Sequence, residues 1–452
     1  MPVSPSHGFP LLGITLAAVI GLVLLVSRWK VHAFPGLIIA SIFVGVASGL
    51  RPAEIVTAFQ EGMGSTLGFI AVVVGLGTML GKLLAESGGA EVIARRMIGW
   101  MGTRHLHWAL MLVGLVVGLP VFFGVGVVLL IPILRDLCRQ TGQSRLFLGL
   151  PLMAGLSVAH GLVPPHPGPL VAIDKLGADT GRTILWSLVI GLPTAILAGP
   201  VFGRWIASRV GGLSPMAFAA PPASRPGITP PGFGLTLVTI LLPVLIMLLG
   251  TVAQVFWHPG SADGVRDWVL FAAKPAVAML VAVLFAARAF GTARGFTRAQ
   301  VLRFCEESVG PAAVIFLVVG AGGGFSKVLI ASGVDRQVAQ LVSQAHVSPL
   351  LLGWLMAAVI RVAVGSATVA ITLAAGLAAP IASAVPGTNP ELLVVALGAG
   401  SLFLSHLNDG GFWFVKEYLE LDVPQTLRTW SVLETLISLV ALGGAMLLDI
   451  WF

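Results

Sequence analysis

Charge is what this sequence has least of. Only 10% of its 452 residues are Asp, Glu, Lys or Arg, against 57% that are hydrophobic. A soluble chain of this length needs far more charge to cover its surface, so the shortage excludes an ordinary soluble globule and points to a polytopic membrane protein. Cysteine is almost missing too. Cys138 and Cys305 allow neither a disulfide framework nor a cysteine-based metal cluster. Also absent are the H-E-x-x-H pair of zinc hydrolases, the G-x-S-x-G nucleophile elbow and the G-x-x-x-x-G-K-[ST] phosphate loop. Metal-dependent hydrolysis, serine-hydrolase chemistry and ATP-driven export therefore lack support. The net charge of +7 is scattered through short loops, as membrane orientation requires, and indicates no nucleic-acid partner. Nothing calls for a cofactor or a metal.

What is abundant is small or helix-breaking: 56 glycines and 29 prolines, suited to helices that pack closely and break deliberately. Apolar segments near the ~20 residues needed to span a bilayer lie at 10–27, 33–50, 63–85, 146–163, 183–203, 233–256, 268–287, 308–330, 391–407 and 430–450. The first has Arg28 and Lys30 after its apolar run instead of before it, so it is expected to be a retained helix with its N-terminus outside, not a signal. Two further stretches, 106–138 and 347–384, each split into short apolar halves around "LPVFFGVG" and "IRVAVGSAT". They are expected to be re-entrant hairpins, which membranes tolerate only when the backbone is buried in protein or lines a cavity. Two short spans each is the alternative.

An internal repeat favours hairpins. "VVGLGTMLGKLLAESG" (73–88) aligns without gaps on "VVGAGGGFSKVLIASG" (318–333), with Lys82/Lys327, Leu84/Leu329, Ser87/Ser332 and Gly88/Gly333 among the identities. After each comes a hairpin and then a span ending in a histidine break, so that His160 answers to His406. Five true crossings per half then force the two halves into opposite orientations. The expected organisation is a first repeat over 1–210, a cytoplasmic linker over 211–232 and a second repeat over 233–452. Starting outside, this topology leaves Arg51, Lys175, Arg182, Arg266, Lys274, Lys327 and Arg336 outside and Arg361 within the second hairpin. The other 18 of the 26 Lys and Arg fall on the cytoplasmic side, as the positive-inside rule demands.

The breaks are where chemistry is expected. In the segment 146–175, "SVAHGLVPPHPGPL" holds prolines that remove backbone donors and forbid a continuous helix. Broken helices of this kind hold substrates, their positive N-terminal ends aimed at an anion. Ser157, His160 and His166 are candidate substrate ligands, and His160 a candidate proton site; a proline-kinked helix with loop histidines is the plainer alternative. The second break, over 391–415, contains "SHLNDGGFWF", with His406 and Asn408 as candidate ligands and Asp409 as the candidate proton-coupling group. An acid at the end of an apolar span is costly unless paired or hydrated, and a solvated turn is the alternative. At the hairpin tips, Ser366 is an expected N-cap that, with Thr368, offers hydroxyls and free N–H groups to a carboxylate. Arg361 can supply a bidentate partner or pair internally. The opposing tip, at Gly124 and Gly126, can offer only backbone. Lys82 and Lys327 are expected to snorkel.

"HGLVPPHPGPLVAIDKLGAD", "RVAVGSATVAITLAAG" and "SHLNDGGFWFVKEYLELDVPQTLRTWSVLETL" resemble the signature stretches of the gluconate permease family, and the resemblance covers essentially the whole chain. It implies membership of the ion transporter superfamily: an all-α polytopic fold of two inverted repeats, each with about five transmembrane helices and one re-entrant hairpin, arranged as an elevator-type scaffold and a mobile transport domain. It also implies proton symport of gluconate or a related sugar acid in the bacterial inner membrane, with lipid around it and a broad scaffold face that would suit a homodimer; the topology above places both termini in the periplasm. A sodium-coupled carboxylate carrier is the rival within transport, an intramembrane enzyme built on His160, His166 and Asp409 the rival outside it. The resemblance departs at the first hairpin tip, where a glutamate is expected and Gly124 stands.

Overall fold

A computed structural model describes residues 8–210, 228–257, 263–333 and 347–451. The described residues contain helices and no strand. Most of the expected linker, 211–227, lies outside them. The first half comprises α1 (Gly8–Ser27), α2 (Ala33–Ala47), α3 (Pro52–Glu86), α4 (Gly89–Met101), α5 (Leu106–Gly118), α6 (Phe123–Thr141), α7 (Arg145–Leu162), α8 (Pro167–Leu176) and α9 (Thr180–Ala207). In the second half, α10 (Phe233–Phe256), α11 (Asp263–Ala272), α12 (Pro275–Ala286), α13 (Arg298–Val309) and α14 (Ala313–Ala331) come first. They are followed by α15 (Pro349–Val364), α16 (Ala367–Ala384), α17 (Pro390–Gly400), α18 (Gly410–Tyr418) and α19 (Val423–Asp449). Among the described residues, six helical segments are long and apolar enough to cross a membrane.

Every predicted apolar segment contains a helix, but two segments behave differently from a plain span. The one predicted at 268–287 is divided, because Pro275 starts α12 at a position where its missing N–H costs nothing. The one predicted at 391–407 stops at Gly400, and the chain turns through 401–404 with Leu404 at a positive φ of 48°.

The aligned stretches of the repeat end their helices by one device. Ser87 Oγ donates to the Leu84 carbonyl at 3.0 Å and Ser332 Oγ to the Leu329 carbonyl at 2.7 Å. Gly88 and Gly333 follow with φ of 73° and 78°, the left-handed close of a helix that glycine permits. The two helices, α3 and α14, also pack directly on each other. They cross where side chains are smallest: a Cβ on Gly62 would lie 2.4 Å from the Gly323 carbonyl oxygen, the close backbone approach typical of membrane helix pairs.

The two predicted hairpins are helical pairs, α5–α6 turning through 119–122 and α15–α16 through 365–366. Their packing runs in parallel. The first arm of each lies on the first piece of the following broken helix, α5 on α7 and α15 on α17. Glycines set both distances, for a Cβ at Gly155 would strike the Met111 carbonyl oxygen and one at Gly400 the Trp354 carbonyl oxygen. The second arms cross over to the other half, α16 packing on α8 and α6 on α18. Tips and breaks from both halves thereby converge.

Ion pairs tie the helix ends. Glu420 receives Arg145 at 2.8 Å and Arg135 at 3.5 Å. Lys82, expected to snorkel, pairs with Glu86 at 2.8 Å and Glu307 at 3.3 Å. Hydrogen bonds from Arg303 first and Lys82 second hold the Glu307 carboxyl below the usual carboxylate range.

Candidate functional site

Where the tips and breaks meet, a cavity of about 600 Å³ opens. Its walls are the start of α6, Ser157 and His160 of α7, Val314 and Val318 of α14, the tip 365–369, the break 409–411, and Trp430 and Glu434 of α19.

Its charged centre is Arg361, in the last turn of α15 and 3% exposed. Nη2 donates to Asp409 Oδ2 at 2.5 Å. Nε and Nη1 are buried and have no hydrogen-bond partner among the described residues. Asp409 is fully engaged by contrast. It caps α18 by accepting from the Gly411 N–H at 2.9 Å, and it accepts from the Ser405 hydroxyl, which itself accepts from Trp430 Nε1 at 2.7 Å. A buried guanidinium with two idle donors is expensive, on the order of 1–3 kcal/mol for each unmade bond. Nε–H and Nη1–H lie on different edges of the guanidinium, so one carboxylate cannot take both; placed against the Nη1 edge it would satisfy that donor with a charge-assisted bond.

Two helix N-termini reinforce the site. Ser366 caps α16 by accepting from the Val369 N–H at 3.4 Å, leaving the earlier N–H groups of Ala367 and Thr368 among the unpaired donors of a first turn. The first turn of α6 presents Gly124 and Val125 in the same way. Both positive helix ends favour an anion.

The sequence-predicted residues divide into two sets. Gly124, Ser157, His160, Arg361, Ser366, Thr368 and Asp409 line the cavity; Gly126, His166, His406 and Asn408 do not. Gly126 has its N–H committed to the Phe122 carbonyl at 2.9 Å, and a Cβ there would meet Leu156 at 2.6 Å. It serves packing, so the expected backbone contribution falls to Gly124 alone. The other three cap hairpin arms. His166 Nε2 donates to the Gly118 carbonyl at the end of α5, at 2.6 Å. His406 Nε2 donates to the Val362 carbonyl at 2.9 Å, and Asn408 Nδ2 to the carbonyls of Val362 and Ala363 at 2.8 and 3.2 Å. These are the carbonyls a helix leaves unpaired at its C-terminus. Each break thus closes the first arm of the hairpin in its own half. The His160 ring stacks edgewise on His166, centroids 4.9 Å apart, with Nδ1 buried and without a hydrogen-bond partner among the described residues.

This arrangement has relatives. The model of the GntP family permeases matches residues 9–451. The chain belongs to the GntP permease family. It is 48% identical to the gluconate permease of Pseudomonas aeruginosa, over 98% of this chain and 99% of that one. It is 45% identical to the gluconate permease of Zymomonas mobilis, over 97% of each. Among solved structures the fold resembles that of MtrF of Neisseria gonorrhoeae, with a TM-score of 0.64 at 15% identity, covering 97% of this chain and 94% of the other. The protein is therefore an integral membrane permease, and the rival enzymatic reading of His160, His166 and Asp409 is set aside.

In and beside the cavity stand residues that inspection of the breaks did not single out. Glu434, 1% exposed, accepts from the Ser157 hydroxyl at 2.5 Å, a contact between α19 and α7. Trp430 and Ser405 hold Asp409 in place. The Phe414 ring lies across Gly124, where a Cβ would meet it at 2.9 Å. Among the described residues, no group of three or more His, Cys, Asp and Glu is placed to hold a metal ion.

Proposed function

We propose that this permease takes up gluconate or a closely related sugar acid across the bacterial inner membrane by proton symport. The observation that carries the reading is Arg361, which lines a cavity of a size that accommodates a small polar ligand and has two donors without a partner among the described residues. The substrate carboxylate binds at the Nη1 edge of the guanidinium, with the first-turn N–H groups of α16 and α6 as auxiliary ligands. Ser366, Thr368 and Ser157 then face the substrate hydroxyls, and His160 supplies a further donor. His166, His406 and Asn408 act indirectly, by holding the hairpin arms. The names of the two similar gluconate permeases support the substrate class.

The architecture proposed with this function is an inverted repeat of 1–210 and 233–452 joined by the cytoplasmic linker 211–232, with re-entrant hairpins at 106–138 and 347–384 and broken helices at 146–175 and 391–415. The shared helix-ending device of α3 and α14 and the parallel packing of the hairpins support it. In this reading hairpins and breaks form the mobile part of an elevator, the remaining helices form the scaffold and face a second copy, and both termini are periplasmic.

Two experiments test these statements. In proteoliposomes, an inward-directed proton gradient is expected to drive several-fold accumulation of labelled gluconate that other sugar acids inhibit and that replacement of sodium leaves unchanged. Accumulation that follows sodium and ignores pH would overturn the coupling. For topology, single cysteines are placed at the exposed positions Ser208 and Lys274, with Cys305 changed to serine. The first is expected to react only from the cytoplasm and the second only from outside; labelling from one common side would sink the inverted repeat.

A further inference from the structure

The cavity contains two carboxyl groups in unlike surroundings. Asp409 is bound by a guanidinium, a hydroxyl and a backbone N–H. Glu434 is more deeply buried, forms no ion pair among the described residues and accepts the single hydroxyl of Ser157. Its second oxygen accepts from no donor among the described residues, and the side chain lines the same cavity as Arg361.

Charge counting then separates the roles. With Asp409 and Glu434 ionised and His160 neutral, Arg361 leaves the empty cavity one negative charge in excess. Adding an anionic substrate alone would double that excess in a site shielded from water, where unbalanced charge is most costly. Adding the anion together with one proton leaves the sum unchanged. Asp409 is a poor place for that proton, since protonation there would remove the negative charge that pairs with Arg361. We infer that Glu434 is the group that receives the co-transported proton, taking it on its free carboxyl oxygen from the outer phase as substrate binds and giving it up to the cytoplasm as substrate leaves.

The charged or titratable neighbours are few. His160 faces the cavity from α7 and Arg361 from α15, with Asp409 at the start of α18. α9 and α17, which also pack on α19, carry Arg182, Arg204 and Glu391; α7 also carries Arg145, and α19 itself carries Arg428 and Asp449. Glu391 is already engaged by the Asp179 N–H at 3.1 Å.

The inference rests on the proton-symport reading, and its test uses Glu434→Gln, which keeps shape and removes the titration. Purified protein is reconstituted with a pH dye inside the vesicles, and gluconate is supplied outside without an imposed pH gradient. Wild-type uptake is expected to acidify the lumen by about one proton per gluconate; Glu434→Gln uptake is expected to leave it unchanged. In parallel, gluconate Kd is measured against pH in detergent. The wild-type Kd is expected to fall by up to about tenfold per unit of acidification, as linkage of one proton to binding requires, and the variant Kd to be flat. Where the variant does not move substrate, the flat Kd alone supports the inference. Unchanged acidification or an unchanged Kd slope in the variant overturns it. So does a variant that binds no gluconate at any pH, because Glu434 would then be a substrate ligand. Failure of the underlying reading is distinct: the wild-type protein itself would bind no gluconate or show no acidification.

Discussion

Arg361→Lys is expected to weaken substrate binding by roughly 10- to 150-fold while leaving the protein folded. Lysine keeps a positive charge beside Asp409, yet a point charge cannot present two parallel N–H groups to a carboxylate. The loss equals one or more charged hydrogen bonds, about 1.5–3 kcal/mol. Arg361→Gln is expected to do far worse. It leaves the carboxylate of Asp409, 8% exposed, without its cation, and breaking a buried pair from one side costs about 3–5 kcal/mol. Binding should then fall by on the order of a thousandfold or beyond detection. The double variant Arg361→Gln, Asp409→Asn is expected to recover stability without recovering binding. Equilibrium binding on purified protein, beside size-exclusion profiles, reads both quantities. An Arg361→Lys protein with affinity within twofold of wild type would remove Arg361 as the carboxylate ligand.

Gly365→Ala is expected to abolish transport and lower thermal stability in detergent well beyond a backbone penalty. Gly365 sits at φ +77°, and a Cβ there would lie 2.2 Å from the Asn408 carbonyl oxygen. The left-handed conformation alone costs a non-glycine residue about 1–2 kcal/mol. The collision also pushes the tip off the break, which uncaps the carbonyls of Val362 and Ala363. Gly177 supplies the control, because it has φ +65° with nothing within 4 Å of a Cβ. Gly177→Ala should therefore show the conformational cost by itself and keep transport. Equal behaviour of the two variants would mean that contact with Asn408 is not what Gly365 is for.

The transmembrane helices were readable because span length and apolarity are local properties, and the Ser-Gly helix ends because the repeat carries them in identical letters. The prolines of 164–169 and the glycines of 410–411 likewise marked the breaks. What local reading could not separate is the role of each polar residue at a break. His160 and His166 look alike in "AHGLVPPHPGP", yet one lines the cavity and the other closes α5. That difference depends on which residue meets a neighbouring helix end, a property of tertiary packing. Glu434 is a different case. It stands inside the apolar segment predicted at 430–450, and the cost argument applied to Asp409 applies to it equally. The signal was present; its partner Ser157, 277 positions away, was not visible from either stretch.

The bonds from His406 and Asn408 to the end of α15 bear on how the substrate is let in and out. A tip that swung open like a flap would strip Val362 and Ala363 of their donors and strand an imidazole and an amide, all in surroundings with little water to replace them. At about 1 kcal/mol or more for each bond, such a hinge is far stiffer than one whose contacts are apolar. The tip and the segment 405–409 are therefore one mechanical piece, and in the proposed elevator access is controlled at its outer boundary, with the proposed binding groups kept in register throughout.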